Sequence, residues 1–293
     1  MKVILYDMGW PAVMEAFAEG VRRFGHTTQL AETKDYKGPT DHDIVVTIEW
    51  SNNIAQIHRD QHAQGRLTLA IHDAYVQRRG PNRYYSVARN CAHAYGEHVP
   101  MDADLPDRWN ALKTKLVPWR KDGTHIVVAD QVAGKSVCDG GAVRPPWFRY
   151  VMSVLHRVTK RPVRFRTHQG QDNPENRFEA YRKAWLESGG PGKQLVYSQG
   201  NRSRLIDDLK GAWALVTYDS TAAVESVLNG VPVYTGGLSL ADPVGNKDLM
   251  RIERPVTPDR VRWANWLAYA QWTEAEMRLG LPWKWLVEKW GKL

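Results

Sequence analysis

Residues 213–237 read WALVTYDSTAAVESVLNGVPVYTGG. Ala214 to Thr217 form a short apolar run with Val and Thr, long enough for a buried strand and too short for a helix. Tyr218, Asp219 and Ser220 end the run, and Ser220 is expected to cap a small-residue helix from Thr221 to Leu228. Asn229 and Gly230 stop that helix, and Val231 to Tyr234 start a second apolar strand. A strand that passes through one short helix straight into another strand predicts a parallel sheet covered by helices, the α/β class.

Working outward, the same alternation recurs. Upstream come strand His125–Ala129, helix Trp147–Val158, strand Val163–Thr167, helix Asn176–Glu187, strand Gln194–Tyr197 and helix Arg204–Lys210. Near the start, Lys2 to Tyr6 read as a strand, and Val13, Met14, Phe17, Val21 and Phe24 follow Pro11 at helical spacing until Gly25. Strand Ile44–Ile48, a more polar helix Asn52–Gln64 and strand Leu67–Ile71 continue the pattern. Periodicity then fades from His72 to Trp119, a stretch too long for an inert loop and too rich in Tyr and Trp for disorder. Val117 to Gly123 (VPWRKDG) marks a boundary before a fresh strand, giving expected domains of 1–120 and 121–257, with helices over 258–293.

Composition bounds the class. The 293 residues suffice for two cores, and 43% hydrophobic with 25% charged residues is ordinary globular usage. Thirteen Trp is not ordinary, and six of them (Trp263, Trp266, Trp272, Trp283, Trp285, Trp290) fall in the tail, where they are expected to anchor a core rather than stack on a ligand. Cys91 and Cys138 have neither disulfide-framework nor zinc spacing. No apolar run approaches the ~20 residues of a membrane span, and MKVILYDMGW reads as a strand rather than a leader, so a cytoplasmic location is expected. The net charge of +8 favours polyanions as partners.

Chemistry concentrates where the decisive segment turns from strand to helix. Ser220 and Thr221 sit at a helix N-terminus, where amides and macrodipole favour phosphate, and Glu225 lies one turn on, placed to accept hydrogen bonds from a ribose. Strand, Ser-Thr, small-residue helix with Glu, then NGVPV resembles the donor segment of GT-B glycosyltransferases, the capsule-polysaccharide type above all, over roughly residues 125–250. The resemblance implies two Rossmann-like domains with parallel sheets facing a cleft. The N-terminal one would bind the acceptor and the C-terminal one a nucleotide sugar, a UDP-sugar first, with no metal required and the last helices packing back across both. It places Ser220 and Thr221 on the diphosphate and Glu225 on the ribose. His168 stands where related enzymes carry His-Pro after a strand, although Gln169 follows here. Arg202 and Arg204, beside a strand end, are candidate phosphate clamps.

In the N-terminal half, Asp7 to Trp10 follow the first strand, and His72 and Asp73 the third. An inverting transferase needs a base within reach of the acceptor hydroxyl; Asp73 is the first candidate, His72 its helper and Asp7 the second. The stretch from IHDAYVQRRGPNRYYSVARN to DRWNAL resembles phage-encoded GT-B-like proteins that modify DNA. Arg78, Arg79, Arg83 and Arg89 interleave there with Tyr75, Tyr84 and Tyr85, the mixture that neutralises phosphates and stacks bases. The expected acceptor is a hydroxymethylated pyrimidine in DNA, flipped from the stack, with the host cytoplasm as the setting if phage-encoded. A capsule or cell-surface polysaccharide transferase, a sugar-nucleotide epimerase and a non-catalytic nucleic-acid-binding protein are the alternatives. Asp102 and Asp104 follow no strand and read as linker acidity rather than a metal site, and the Gly134–Ser136 triplet lacks the leading Gly of a P-loop.

Overall fold

The computed structural model describes residues 1–49, 51–80, 82–101, 105–131, 144–168, 170, 173–200 and 202–290. Asp102, Asp104, Cys138, Gln169 and the Gly134–Ser136 triplet lie outside them. In chain order the elements are β1 (Lys2–Asp7), α1 (Pro11–Arg22), β2 (Thr27–Glu32), β3 (Ile44–Ile48), α2 (Asn52–His62), β4 (Leu67–Asp73), β5 (Tyr84–Arg89) and α3 (Asp107–Leu112). Next come β6 (His125–Ala129), α4 (Arg144–Val158), β7 (Val163–Thr167), α5 (Pro174–Glu187), β8 (Leu195–Gln199), α6 (Leu205–Leu209), β9 (Ala212–Thr217), α7 (Ala222–Leu228) and β10 (Val233–Thr235). The tail holds α8 (Val261–Tyr269), β11 (Gln271–Thr273), α9 (Glu274–Arg278) and α10 (Leu281–Trp283). The chain divides into two compact units, one of Met1–Thr114 with Val261–Leu293, the other of Lys115–Arg260. No helix among the described residues is long and apolar enough to cross a membrane.

The second unit carries a five-stranded sheet in the order β10-β9-β6-β7-β8, every neighbouring pair parallel. β6 is buried along its whole length, as a central parallel strand covered on both faces must be. Ile126, Val128, Phe148, Val151, Phe165, Tyr181, Trp185 and Val216 pack together between this sheet and its helices.

The first unit carries a six-stranded sheet, β11-β5-β4-β3-β1-β2, parallel from β2 to β4 and antiparallel at β5 and β11. Three of its strands escape the periodicity reading. β2 is an edge strand whose residues are mostly exposed, so it lacks an apolar run. β5 lies inside the basic segment that reads as aperiodic, and β11 interrupts the tail that reads as helical. β5 is held between β4 and β11, and β11 becomes a strand by pairing with the edge that β5 offers.

The tail is knitted into this unit. Gln271 accepts the backbone amides of Tyr75 and Val76 on one side-chain oxygen, each at 3.0 Å. Arg108 pairs with Glu276 and lies 3.9 Å over the Trp272 ring. Trp263, Trp272 and Trp283 are fully buried, so half of the tail's tryptophans are core anchors.

Contact between α1 and the tail depends on a helix-interior glycine. A Cβ at Gly20 would stand 2.0 Å from the Met277 carbonyl oxygen and 2.8 Å from Gly280 Cα. Gly280, with φ +75°, leaves α9 through the left-handed region that favours glycine. Ala is about 1 kcal/mol better than Gly inside a helix, but the obstacle here is backbone and cannot swing away. Gly20→Ala is therefore expected to destabilise the first unit by about 2 kcal/mol, checked by urea unfolding followed through tryptophan fluorescence.

Candidate functional site

In the second sheet, β7 and β8 run outward from β6 on one side, while β9 and β10 lie on the other. The chain thus reverses direction between β6 and β9, and open α/β sheets collect ligands at that divergence, outside the carboxyl ends of the strands. The residues there are Asp130 and Gln131 after β6, and Tyr218, Asp219 and Ser220 after β9. Gln131 donates its side-chain amide to an Asp219 carboxylate oxygen, and the Asp219 backbone N–H returns a bond to the Gln131 side-chain oxygen at 3.0 Å. Thr217 adds a third tie, donating to the Ala129 carbonyl at 3.0 Å.

Asp130 is locked beneath. Its carboxylate is wholly buried and held in bidentate fashion by Arg177 of α5, at 2.7 and 3.1 Å. This pair fixes α5 against the end of β6 and gives the loop after β6 a rigid start.

The Ser220 reading needs one correction. The helix begins one residue later than expected, and its capping position is Thr221, whose side chain makes no capping bond. Ser220 instead accepts the Ala222 amide on its hydroxyl at 3.2 Å. Both residues still stand at the switch point, with Glu225 half-buried one turn along. Opposite them, the amide of Gly237 donates to the Tyr218 carbonyl at 2.9 Å. A Cβ on Gly236 would lie 2.2 Å from the Trp147 ring and one on Gly237 2.8 Å from Tyr218, so the glycine pair is what lets the backbone pass this aromatic wall. Lys247 reaches in, bonding the Gly237 carbonyl at 2.6 Å and Asp242 at 2.8 Å. The periodicity reading passes over Gln131 and Asp130, because single polar residues after strand ends look like ordinary turns, and over Lys247, which lies in a loop.

The other donor-side candidates are spread along the sheet edge. His168 follows β7, next to β6, and its Nδ1 accepts the Gly170 amide at 3.0 Å, which leaves the ring proton on Nε2. Arg202 and Arg204 follow the edge strand β8, two strands from β6, or about 10 Å at ordinary strand spacing. Arg204 is exposed and pairs with Asp207 at 3.4 Å. Arg166 braces that loop, bonding Ser203, the Gly200 carbonyl and Asp208. Ser220, Thr221 and Glu225 are therefore brought together, and the two arginines are set apart from them.

The first unit has its own reversal point, between β1 and β3, where Asp7 and Glu49 emerge; His72 and Asp73 end the neighbouring β4. Asp7 works as a turn residue, accepting the Trp10 amide at 2.7 Å. It also lines an open cavity of about 400 Å³ with Met14, Leu30, Glu32 and Asp35. Asp73 is gripped by Arg78 at 3.3 Å and, more closely, by Arg83. Burial opposes ionisation of Asp73, but the two guanidiniums outweigh it and hold the carboxyl below its ordinary value. The His72 ring accepts the Asp73 amide on Nδ1 at 2.7 Å and turns Nε2 towards Glu49 Oε2, 3.5 Å away. Burial pushes the pKa of His72 down to about 4, so the ring is neutral near pH 7.

The expectation of a basic, aromatic stacking surface is largely overturned. Tyr75 and Tyr85 are buried at 6% and 5% exposure and present no face to a base. Arg83 lies over Trp10 and Tyr85 at 4.2 and 4.8 Å, and Arg89 over Trp290 at 4.0 Å. These arginines cover aromatic rings inside the unit, and Arg78 and Arg79 are the members of the set that stay exposed.

No family model matches the chain, and no curated protein matches it by sequence. Among solved structures, it is similar to a β-Kdo 2,4 transferase, KpsC of Thermosulfurimonas dismutans. The TM-score is 0.56 at 13% identity, over 92% of this chain and 91% of that one. A β-Kdo 2,7 transferase of the same organism follows at 0.48 and 12%, covering 96% and 98%. A UDP-GlcNAc 2-epimerase of Methanocaldococcus jannaschii, solved with UDP-GlcNAc and UDP, stands at 0.38 and 10%, over 96% and 98%. The first of these likenesses gives the fold: the chain has the GT-B architecture of two parallel-dominated sheets.

Two outcomes follow from this geometry. Arg177→Met strands the Asp130 carboxylate in the core, and a loss of about 3–5 kcal/mol in urea unfolding of the second unit is expected. The second concerns acid. His58, bonded to Thr47 at 2.8 Å and Thr68 at 2.7 Å, is also pushed down to about 4 by burial. Both His58 and His72 bind protons more weakly folded than unfolded, where the pKa is about 6.5. Stability of the first unit is therefore complete above about pH 6.5 and falls as the pH drops towards 4, by about 1.4 kcal/mol per pH unit for each histidine. Urea midpoints at a series of pH values measure this, and His58→Gln should flatten the slope.

Proposed function

We propose that the protein is a glycosyltransferase that moves a sugar from a nucleotide sugar to a hydroxyl acceptor, with the donor held by the second unit and the acceptor by the first. The observation that carries this reading is the divergence of β6 and β9, where the Gln131–Asp219 clamp, Ser220, Thr221 and Gly236–Gly237 gather at one pair of strand ends. In this reading Ser220 and Thr221 meet the diphosphate, Glu225 takes the ribose hydroxyls and Lys247 adds a cation. His168 stands beside the leaving phosphate, while Arg202 and Arg204 steer the anion from the sheet edge. A UDP-sugar is the first donor to try. On the acceptor side Asp7, His72 and Asp73 provide the polar groups.

Two acceptor classes are favoured by different observations. The net charge of +8 supports DNA carrying a hydroxymethylated pyrimidine. The buried Tyr75 and Tyr85, and the carboxylates of Asp7, Glu32 and Asp35 around the cavity, favour a saccharide, since an acidic mouth repels phosphodiesters. A solved structure of similar fold is a β-Kdo 2,4 transferase, which supports the same reading.

The test is incubation of the protein with a panel of nucleotide sugars, each with hydroxymethylated DNA, unmodified DNA or oligosaccharides, with released nucleotide and glycosylated product measured. Acceptor-dependent nucleotide release is expected, and Glu225→Ala should raise the donor KM about 10-fold to 100-fold, the worth of one or two hydrogen bonds to ribose. An epimerised donor formed without any acceptor would instead make the protein an isomerase, and DNA binding without turnover a binding module.

A further inference from the structure

In a parallel sheet every strand starts at the same edge, so the residues that lead into β6, β7, β8 and β9 come together at the edge opposite the Gln131–Asp219 clamp. Each of these four strands is entered from an exposed lysine: Lys121 before β6, Lys160 before β7, Lys193 before β8 and Lys210 before β9. The entering segments are bonded to one another. Thr124 donates its amide to the Gly211 carbonyl at 2.8 Å, Arg161 reaches the Gly123 carbonyl, and the Gln194 side chain donates to the Thr159 and Arg161 carbonyls at 3.1 and 2.8 Å. With the strands in the order β9-β6-β7-β8, the lysines form a row across three strand spacings, about 14 Å.

Helix ends explain only part of this row. Lys210 directly follows α6 and Lys160 follows α4 by two residues, where a cation complements the carbonyl end of a helix. Lys121 enters β6 from a loop, and Lys193 lies six residues beyond the end of α5, outside the reach of its last turn. Among the described residues Lys121, Lys160 and Lys193 make no ion pair, while the acids nearby are engaged: Asp208 by Arg164 and Arg166, Glu253 by Arg161, and Asp207 by Lys210 and Arg204. Asp122 is the exposed acid beside the row.

We propose that this edge of the second unit docks on an anionic lipid bilayer, an inference that goes beyond the glycosyltransferase reading and does not rest on it. Three features select a lipid surface over a nucleic acid. The row is made of lysines, hydrated point charges that suit loosely ordered headgroups, rather than the arginine forks that grip single phosphates and bases. Base stacking needs an open ring, and the tryptophan at this edge is engaged within the unit: Arg161 lies 4.3 Å over the Trp213 ring, whose Nε1 donates to the Ile252 carbonyl at 2.7 Å. Leu186 is 41% exposed, and a Cβ on Gly192 would lie 3.7 Å from its Cδ2, so an apolar side chain stands beside Lys193, the mixture of basic and apolar groups that settles at a bilayer interface. Docked in this way, the unit turns the strand ends of Gln131 and Asp219 towards solution, about 16 Å away along the five residues of β6.

Sedimentation of the full chain with vesicles tests this, with phosphatidylcholine alone and with equal parts phosphatidylcholine and phosphatidylglycerol. Binding to the anionic vesicles only is expected, weakening as salt rises because screening shortens the reach of the charges. Replacing Lys121, Lys160 and Lys193 together by Gln is expected to lower partitioning about 100-fold, since each lysine near an anionic surface is worth about fivefold. Replacing Lys37, Lys113 and Lys284, three exposed lysines of the first unit, by Gln removes the same charge and should lower it less than about fivefold. The first three lysines changed to Arg keep the charge and should bind like the parent, and an unchanged thermal midpoint shows that each variant folds. A parent that ignores the anionic vesicles, or two Gln triples that weaken binding equally, overturns the proposal. Duplex DNA held more tightly than the vesicles, and lost with Lys121, Lys160 and Lys193, makes this edge a nucleic-acid surface and overturns the assignment to lipid.

Discussion

The two hydrogen bonds between Gln131 and Asp219 join the residues that leave β6 and β9, at the one place where the second sheet reverses its order. Everything proposed for the donor depends on that clamp. β6 and β9 are neighbours in the sheet, but their connections leave in opposite directions, the arrangement at which open α/β sheets collect ligands. The clamp ties the two strand ends together, the Asp130–Arg177 pair anchors α5 to the end of β6, and Ser220 and Thr221 follow in the same turn as Asp219. A buried ion pair is weak evidence of stability in itself, because desolvation offsets much of its attraction. Here its effect is positional, fixing one end of α5 to the end of a central strand.

The first unit repeats the arrangement with different chemistry. Its reversal point carries carboxylates and imidazoles where the second carries an amide, hydroxyls and glycines. Hydroxyl and amide donors with a lysine suit an anionic diphosphate, whereas carboxylates and a neutral histidine suit proton transfer from a hydroxyl. The aromatic and arginine content of the segment after β4 also changes meaning. Arg83 lies over Trp10 and Tyr85 within the unit, and Arg89 lies over Trp290 of the tail. These two arginines are thus engaged in packing within the unit.

Much of the architecture was legible in residue order. The βαβ alternation is written in apolar runs such as IVVTI and HIVVA, because strands buried on both faces need no polar residues. Strands at the margins were not legible. β2 is exposed along most of its length, β5 owes its extended form to β4 and β11 on either side, and β11 owes its form to β5. The start of α7 was displaced by one residue, since Ser-Thr offers two adjacent capping positions and only packing selects between them. Of the site residues, Ser220, Thr221 and Glu225 could be named from their place in the decisive segment. Gln131 and Asp130 could not, because single polar residues after a strand carry no periodic signal and their partners, Asp219 and Arg177, lie far away in sequence.

By itself, then, the order of residues determined the class of fold, the two alternating blocks and the strand–turn–helix at residues 213–237, all of which depend on local periodicity and turn chemistry. Tertiary structure alone decided which strand ends meet, which carboxylates are neutralised by arginine, and that the last residues return to the first sheet. Those outcomes depend on contacts between residues far apart in the chain, where burial and the company of charges set the chemistry and residue type does not.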